Sequence, residues 1–459
     1  MTQPPSPEVR LFARDLPPSA WSFEESDAFS FALENRGLPG LAAPDAGAHW
    51  NWAADVHQRG RWVRRVGQGP LAGPVPLGGT REFAAHLGIT LIGGDYELRY
   101  GLEPAGGNGA PLPGGGPRWS SEDAPLRVKN QILEAFVELI NACNFRCTYC
   151  PQTTLQRKQR PMDFALATKV VRDLADMGHH HPIRVHLLGE PLLYPRFFDF
   201  VEMAHDMGQR VNLVTNGSRF SEKTIAGIFR TGVDEMRISL NSPEESLHDA
   251  ERGTTLPYAE YIAGVRRMVA ECARRGRPPL LEINVLYQSA QRGSPEDDAR
   301  INRVANEWAN VVREAVGLTP LADGEVDHLA NVRRTEDVTL SWYTMIPLGQ
   351  GIELQFTPYH SWGKGQSPAG HFCSYPWRQL AILVDGQATA CCVDGEGEIC
   401  LGDAKVQTVE EIWNGPVLNR IREAFWNQQR AVEAKCASCQ IRHWELFQQY
   451  RTHELDPSV

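Results

Sequence analysis

No apolar run in this chain approaches the roughly 20 residues needed to cross a bilayer as a helix, and the first ten residues, MTQPPSPEVR, lack the cationic-then-apolar pattern of a secretory signal. These two absences predict a cytoplasmic protein. Positive charge is not in excess either: the formal net charge is −10, which argues against nucleic acid or an anionic membrane as the main partner. No internal repeat is evident. The glycine-rich GGTREFAAHLG lacks the strand–Gly-x-Gly-x-x-Gly–helix setting of a phosphate loop.

What is there is 459 residues of ordinary globular composition, 42% hydrophobic and 22% charged, with ten cysteines. In a reducing compartment ten cysteines point to metal ligands or buried thiols before disulfides. Residues 1–100 mix aromatics, Gly and Pro without a long clean period and predict a small folded region with some helix and strand; their role is open. Residues 101–129 open with GLEPAGGNGAPLPGGGP, the composition of a linker or mobile loop. From about 130 the pattern becomes alternating. EAFVELI (134–140), IRVHLL (183–188), RVNLVT (210–215), EMRISL (235–240), LLEINVL (280–286) and VTLSWY (338–343) predict buried strands. Amphipathic segments such as FALATKVVRDLADMG, RFFDFVEMAHDMG and YIAGVRRMVAECARRG lie between several of them, each ending in a glycine suited to a helix C-cap. About six βα units predict an α/β fold with a parallel sheet, open or curved into a partial barrel. Ligands in such folds gather at the carboxyl ends of the strands.

The segment NACNFRCTYC follows the first of these strands and crowds Cys143, Cys147 and Cys150 together. Thiolates hold iron–sulfur clusters, and a 4Fe–4S cluster has four irons. Three cysteines can ligate three of them and leave one iron open for chemistry. A zinc knuckle would want a fourth ligand nearby, and residues 151–178 contain neither Cys nor His.

CNFRCTYC resembles the C-x3-C-x-Φ-C signature of radical S-adenosylmethionine (SAM) enzymes, with Tyr149 at the aromatic position. The resemblance implies a partial (β/α)6 barrel over residues 130–345, a 4Fe–4S cluster on the three cysteines, and S-adenosyl-L-methionine on the open iron as the source of a 5′-deoxyadenosyl radical. The protein then supplies position and exclusion of water. Later strand ends extend the likeness. LLGEPLLYP resembles the family's Gly-Gly-Glu-Pro turn, which would set Gly189 and Glu190 at the methionyl amino group, with Leu188 replacing the first glycine. By the same resemblance Thr215 of VTNGS and Ser239 of RISLNS would face the ribose or the methionyl end. Arg252 of HDAERG would hold the SAM carboxylate through charge-assisted bonds.

Six further cysteines lie beyond residue 370, at 373, 391, 392, 400, 436 and 439. Together with hairpin-like segments around DG and a helix near TVEEIWN, they resemble the auxiliary-cluster extension of radical SAM enzymes called SPASM, or its shorter twitch relative, a small α+β domain over 346–459. Cys373, Cys391, Cys436 and Cys439 would hold a second 4Fe–4S cluster. Their layout is similar to that of the 2-deoxy-scyllo-inosamine dehydrogenases. No further cysteine follows, so one auxiliary cluster is expected, with a four-cysteine zinc site as the alternative. Cys392 is an alternative ligand to Cys391, but adjacent strand residues point oppositely, so both cannot serve. Cys400 and Cys272 are expected to be plain thiols; hydrogen-atom donation by Cys392 or Cys400 is a further option.

Four thiolates saturate a cluster, which suits it to electron transfer. The resemblance therefore implies a radical oxidoreductase acting on a polar small molecule such as a sugar or aminocyclitol, with an external reductant such as flavodoxin or ferredoxin. Alternatives are a peptide-modifying maturase, with residues 1–100 recognising a leader, an epimerase, or an electron-transfer protein. His179, His180 and His181 cannot all face one metal and are expected in an exposed loop. The aromatics of DLPPSAW and AHWNW are expected in a core.

Overall fold

In EMRISL (235–240) apolar and polar residues alternate strictly, and the other strand segments after residue 130 follow the pattern with exceptions such as Phe136 and Val214; a strand with that alternation has one face for helices and one for something else. The computed structural model describes residues 9–13, 19–21, 24–25, 29–35, 50–58, 61–70, 74–77, 79–85, 88–89, 94–104, 118–119, 124–129, 132–276, 280–287, 295–322, 325, 344–358, 373, 375–426, 433–437 and 439. The chain divides into two compact units, residues 1–131 with 448–459, and residues 132–447.

The second unit is built on strands β1 (Glu134–Val137), β2 (Ile183–Arg184), β3 (Val211–Thr215), β4 (Glu235–Asn241), β5 (Leu280–Tyr287), β6 (Thr344–Gly349), β7 (Ile352–Pro358), β8 (Gln379–Ile382), β9 (Gln387–Thr389) and β10 (Gly402–Asp403). Their order in one sheet is β6-β7-β5-β4-β3-β2-β1-β8-β9-β10. The run β1-β2-β3-β4-β5-β7 is parallel throughout. Because these strands follow chain order without a reversal, right-handed crossovers put all the connecting helices on one face. That is the construction of a barrel wall. The barrel does not close: β8 continues the sheet in parallel beside β1.

The helices are α1 (Phe164–Asp176), α2 (Phe197–Asp206), α3 (Glu222–Thr231), α4 (Glu245–Glu251), α5 (Tyr258–Arg275), α6 (Pro295–Ala315), α7 (Val409–Trp413), α8 (Pro416–Trp426) and α9 (Ala434–Ala437). α1 starts where the Asp163 carboxylate accepts from the amides of Ala165 and Leu166, and it buries Ala167, Val170, Val171 and Leu174. α7 opens with a capping box between Thr408 and Glu411. Asp173 of α1 accepts from Lys169 and from the Val409 amide, which ties α7 to the barrel's first helix. Along β4, Met236, Ile238 and Leu240 are buried while Glu235, Arg237, Ser239 and Asn241 are half-buried. The polar set therefore faces the inside of the curve.

The first unit holds strands at 9–13, 29–35 and 80–85 in one sheet, and at 19–21, 124–129, 94–104, 50–58 and 61–70 in another; 118–119 pairs with 94–104, and 24–25 pairs with 88–89. Among its described residues there is no helix. The stretch expected as a linker is divided: 101–104 complete the strand Gly94–Pro104, and Ala124–Lys129 pairs with that same strand. Strand formation is possible there because the glycines and prolines concentrate between 105 and 117, which lie outside the described residues. β6 spans the boundary expected at 345/346, and IRVHLL forms ladder pairs only at its start. VTLSWY (338–343) lies outside the described residues; of the aromatics of DLPPSAW and AHWNW, Trp21 closes the strand Ser19–Trp21, and Trp50 and Trp52 lie in the strand Trp50–Gln58. Of the three histidines expected in an exposed loop, His180 is exposed and His181 half-buried, but His179 is not exposed. It is 6% exposed, packed where the chain turns from α1 toward β2, with its carbonyl accepting from Gln209.

Candidate active site

β1 ends at Val137, and the chain then runs across the strand ends into the three-cysteine loop. Asn141 fixes the entry: its side-chain oxygen accepts from the Arg160 amide and its Nδ2 donates to the Lys158 carbonyl. The Cys150 amide donates to the Cys147 carbonyl, closing the loop's last turn. Phe145 points the other way, into the core at 2% exposure. Opposite the loop stands the end of α4, and two backbone bonds join them, Arg146 N–H to the Arg252 carbonyl and Thr148 N–H to the Glu251 carbonyl. Gly253 makes this approach possible: its φ is +52°, and a Cβ there would lie 2.4 Å from the Arg146 carbonyl oxygen.

The turn after β2 closes in from the second side. A Cβ on Gly189 would lie 1.9 Å from the Ile140 carbonyl oxygen, so only glycine fits. Glu190 follows, with its amide on the Ala142 carbonyl and its side chain 1% exposed. Its carboxylate accepts from Thr215 Oγ1 at 2.7 Å, the Asn216 amide at 2.7 Å and the Leu192 amide at 3.1 Å. Burial raises its pKa and these bonds oppose the rise. Thr215 thus spends its hydroxyl hydrogen on Glu190. Ser239, on the inner face of β4, is half-buried.

Arg252 is the centre of the third side. The residue is 1% exposed; its Nη1 donates to Tyr149 Oη at 2.8 Å and its guanidinium lies 4.8 Å from the Phe145 ring centroid. Burial works against its charge, but Tyr261, Tyr149 and Cys147 hold its pKa above the ordinary value. Its Nε is buried without a hydrogen-bond partner. Tyr149 also accepts from Asn241 Nδ2 at 2.9 Å, from a residue at φ +59° beside a bulge in β4, a conformation asparagine tolerates.

Burial raises the pKa of Cys143 to about 11 and raises that of Cys150 as well; each thiol also feels Cys147. The same holds at the second group. Cys373 is pushed well up by burial and by Cys391, Cys439 and Cys436, and Cys391 to about 11 by burial and by Asp394 and Cys439. Cys392 looks elsewhere: after burial and Cys391, its thiol feels Glu134 and Arg184. Cys373, Cys391, Cys436 and Cys439 thus act on one another electrostatically, whereas the groups that act most on Cys392 are Cys391, Glu134 and Arg184. Among the described residues no three Cys, His, Asp or Glu side chains close on one point as ligands of a single ion do; thiolates on a cluster bind different irons and stand farther apart.

Several participants carried no sequence signal of their own. Asn216 donates to Glu190 through its amide and directs Nδ2 at Cys143 Sγ, 3.7 Å away, and at Asn144. Tyr261 donates to the Asn216 carbonyl. Glu138 and Arg157 form a bidentate pair under the loop.

A half-barrel of parallel strands with a three-thiol loop at its C-terminal rim, a buried guanidinium beside it and a four-thiol group in an appended domain suits iron–sulfur chemistry with an anionic ligand at the first group. Residues 137–272 match the Radical SAM superfamily model and residues 373–440 match SPASM, the iron-sulfur cluster-binding domain. The chain therefore contains a radical SAM domain and a SPASM domain; the first implies a 4Fe–4S cluster and SAM, the second auxiliary iron–sulfur. The donors fit both groups: thiols for iron, and at Arg252 a buried cation with an unfilled N–H for an anionic ligand. Among similar proteins, the AdoMet-dependent heme synthase of Methanosarcina barkeri is 22% identical over 322 residues, 66% of this chain and 87% of that one. The PqqA peptide cyclase of Gluconobacter oxydans is 27% identical over 312 residues, 67% and 82% of the two chains. The crystal structure of BtrN in complex with AdoMet and 2-DOIA aligns with a TM-score of 0.39 at 17% identity, covering 64% of this chain and 87% of that one. Among the described residues no helix is long and apolar enough to cross a membrane.

Proposed function

We propose that this enzyme oxidises a polar small molecule (a sugar, an aminocyclitol or a similar natural-product intermediate) by two electrons. Bound at the reduced first cluster, SAM supplies the 5′-deoxyadenosyl radical. In this reading Cys143, Cys147 and Cys150 hold that cluster, and Tyr149 braces the loop through Arg252. Gly189 keeps the backbone close, Glu190 locks Thr215 and Asn216 in place beside the methionyl end, Ser239 faces the ribose, and Arg252 takes the carboxylate. Cys373, Cys391, Cys436 and Cys439 hold the auxiliary cluster. An external reductant such as flavodoxin or ferredoxin delivers the first electron.

One observation carries the proposal: the two thiol groups lie toward opposite ends of the same strand pair. The three-thiol loop follows the carboxyl end of β1. At the other end, the Cys392 amide, next to Cys391, donates to Gln379 at the start of β8, and Gln379 is paired with Glu134 at the start of β1. Four residues of strand, a rise of about 13 Å, separate the two levels. A substrate between them could give a hydrogen atom to the 5′-deoxyadenosyl radical at one end, an electron to the auxiliary cluster at the other and its hydroxyl proton to solvent, leaving a carbonyl.

Anaerobic reconstitution tests this. About eight irons are expected to bind, and dithionite with SAM should give 5′-deoxyadenosine. Cys147→Ala should abolish that product, whereas Cys436→Ala should keep the first cluster. A count near four with bound zinc would remove the auxiliary-cluster half of the proposal. The likeness to a peptide cyclase favours a second reading, a peptide substrate; stimulation of SAM cleavage by a peptide and not by a polyol would decide for it.

A further inference from the structure

Among the polar groups that the proposed function leaves without a task on the inner face of the barrel is His186. His186 lies two residues beyond Arg184 and so on the same face of the chain, away from Ile183 and Val185, which are 0% and 1% exposed on the helix side. Its ring meets Phe136 of β1 edge-on at 5.5 Å, and Arg184 lies over that same phenylalanine. The strand register makes its neighbours explicit: Arg184 is level with Asn212 and then Glu235, and one step higher Val214 is level with Arg237, and Arg237 with Glu282. His186 is thus in the middle layer of the barrel, below the Gly189–Glu190 turn and above Glu134. Both arginines near it are ion-paired, Arg184 with Glu134 at 3.2 Å and Arg237 with Glu282. Yet His186 Nδ1 is buried without any hydrogen-bond partner.

A buried ring nitrogen without a partner forfeits a hydrogen bond that water would have given it, and such groups in a folded protein call for a reason. The neighbours say which ligand would supply it. Burial, Arg184 and Arg237 lower the imidazole's pKa to about 3, so at neutral pH the ring is uncharged, and in the tautomer with its proton on Nε2 the unpartnered Nδ1 offers a lone pair. Around it stand guanidinium donors whose charge is already cancelled by carboxylates. A phosphate or carboxylate could use the donors but not the imidazole lone pair, and it would face Glu134 and Glu282. An ammonium could use the lone pair but would face two guanidiniums. A hydroxyl is both donor and acceptor and meets neither conflict.

We propose that His186 is a substrate-binding residue: its imidazole accepts a hydrogen bond from a hydroxyl of a neutral polyol held in the barrel, while Arg184 or Arg237 donates to the same oxygen. This rests on the oxidoreductase reading above and narrows its substrate class. No covalent step is assigned to His186.

The test uses the full-length, anaerobically reconstituted protein with SAM, titrated calorimetrically with scyllo-inositol and with myo-inositol 1-phosphate. The expected result is binding of the neutral ring with the phosphate at least tenfold weaker. His186→Phe keeps an aromatic ring against Phe136 but removes the acceptor, and should weaken the neutral probe at least tenfold. His186→Gln restores a side-chain acceptor and should stay within about threefold of the parent. Iron content and melting temperature of each variant report whether it has folded. Equal or tighter binding of the phosphate, no effect of His186→Phe in a folded variant, or binding of neither probe overturns the assignment. Failure of the parent protein to form 5′-deoxyadenosine with dithionite would instead sink the proposed function, so the two failures are distinguishable.

Discussion

Single residues of this enzyme act mostly by what surrounds them. Arg252 is a buried guanidinium that meets Tyr149 and an aromatic face, so its replacement removes both a charge and a donor. Arg252→Gln is expected to weaken SAM binding about tenfold to a hundredfold, the cost of hydrogen bonds to a charged ligand, as read by equilibrium binding to the reconstituted protein. Gly189→Ala should destabilise by about 1–3 kcal/mol, because its methyl would fall on the Ile140 carbonyl; a thermal melt measures it. His179 makes a pH prediction. Burial, then His181 and His180, lower its pKa to about 4, so the folded state resists protonation that the unfolded chain accepts near 6.5. Its contribution is complete above pH 6.5 and is lost as pH falls from there toward 4, with a slope of up to about 1.4 kcal/mol per pH unit. Denaturant midpoints taken between pH 7 and 4.5 should show a shallower dependence in His179→Gln.

Elements hold the rim in place through a few buried ties. Arg157, in the segment between the cysteine loop and α1, places both Nη atoms on Glu138 just past β1 and Nε on the Gly395 carbonyl. Glu396 accepts from the Gln156 and Arg157 amides. The Glu138 side chain is 0% exposed and that of Arg157 11%, so Arg157→Met leaves a buried carboxylate unpaired, at a cost of about 3–5 kcal/mol. The Arg157→Met, Glu138→Leu double variant should recover most of it, because both desolvated charges are gone; urea unfolding of the three proteins checks this. Elements were also where periodicity was most and least informative. The amphipathic spacing in 164–178 and the glycines at 178, 208 and 276 sufficed for α1, α2 and α5, since positive φ at those glycines ends each helix. β2 was over-long in the sequence because Val185 and His186 keep the alternating pattern after the ladder has ended. α3 and α6 follow from polar-rich windows whose apolar stripe is narrow, and are plain only once they pack on the sheet.

At the scale of the whole second unit, parallel pairing of β8 with β1 joins the SPASM region to the barrel wall. That join turns two cysteine motifs more than 220 residues apart into two ends of one column. If the column carries electrons, Cys391→Ala should leave SAM cleavage intact in the reduced protein while the oxidised product falls below about a tenth of the parent's; product and 5′-deoxyadenosine measured in the same reaction give the ratio.

The chain's own text was enough for the cofactor chemistry, because cluster ligation needs a residue type at short spacing and CNFRCTYC states it locally. It was enough also for the order of βα units, since period-2 and period-3.6 alternation are local properties. Which of Cys391 and Cys392 serves is not a local question: Cys391 feels Cys439, and Cys392 feels Glu134 and Arg184, all distant in the chain. Likewise the partners of Arg252, the ion pair of Glu138 and the surroundings of the buried His186 Nδ1 come from strands and loops far apart in the chain. Only the folded sheet brings them together, because burial and Coulomb interaction act through space and not along the sequence.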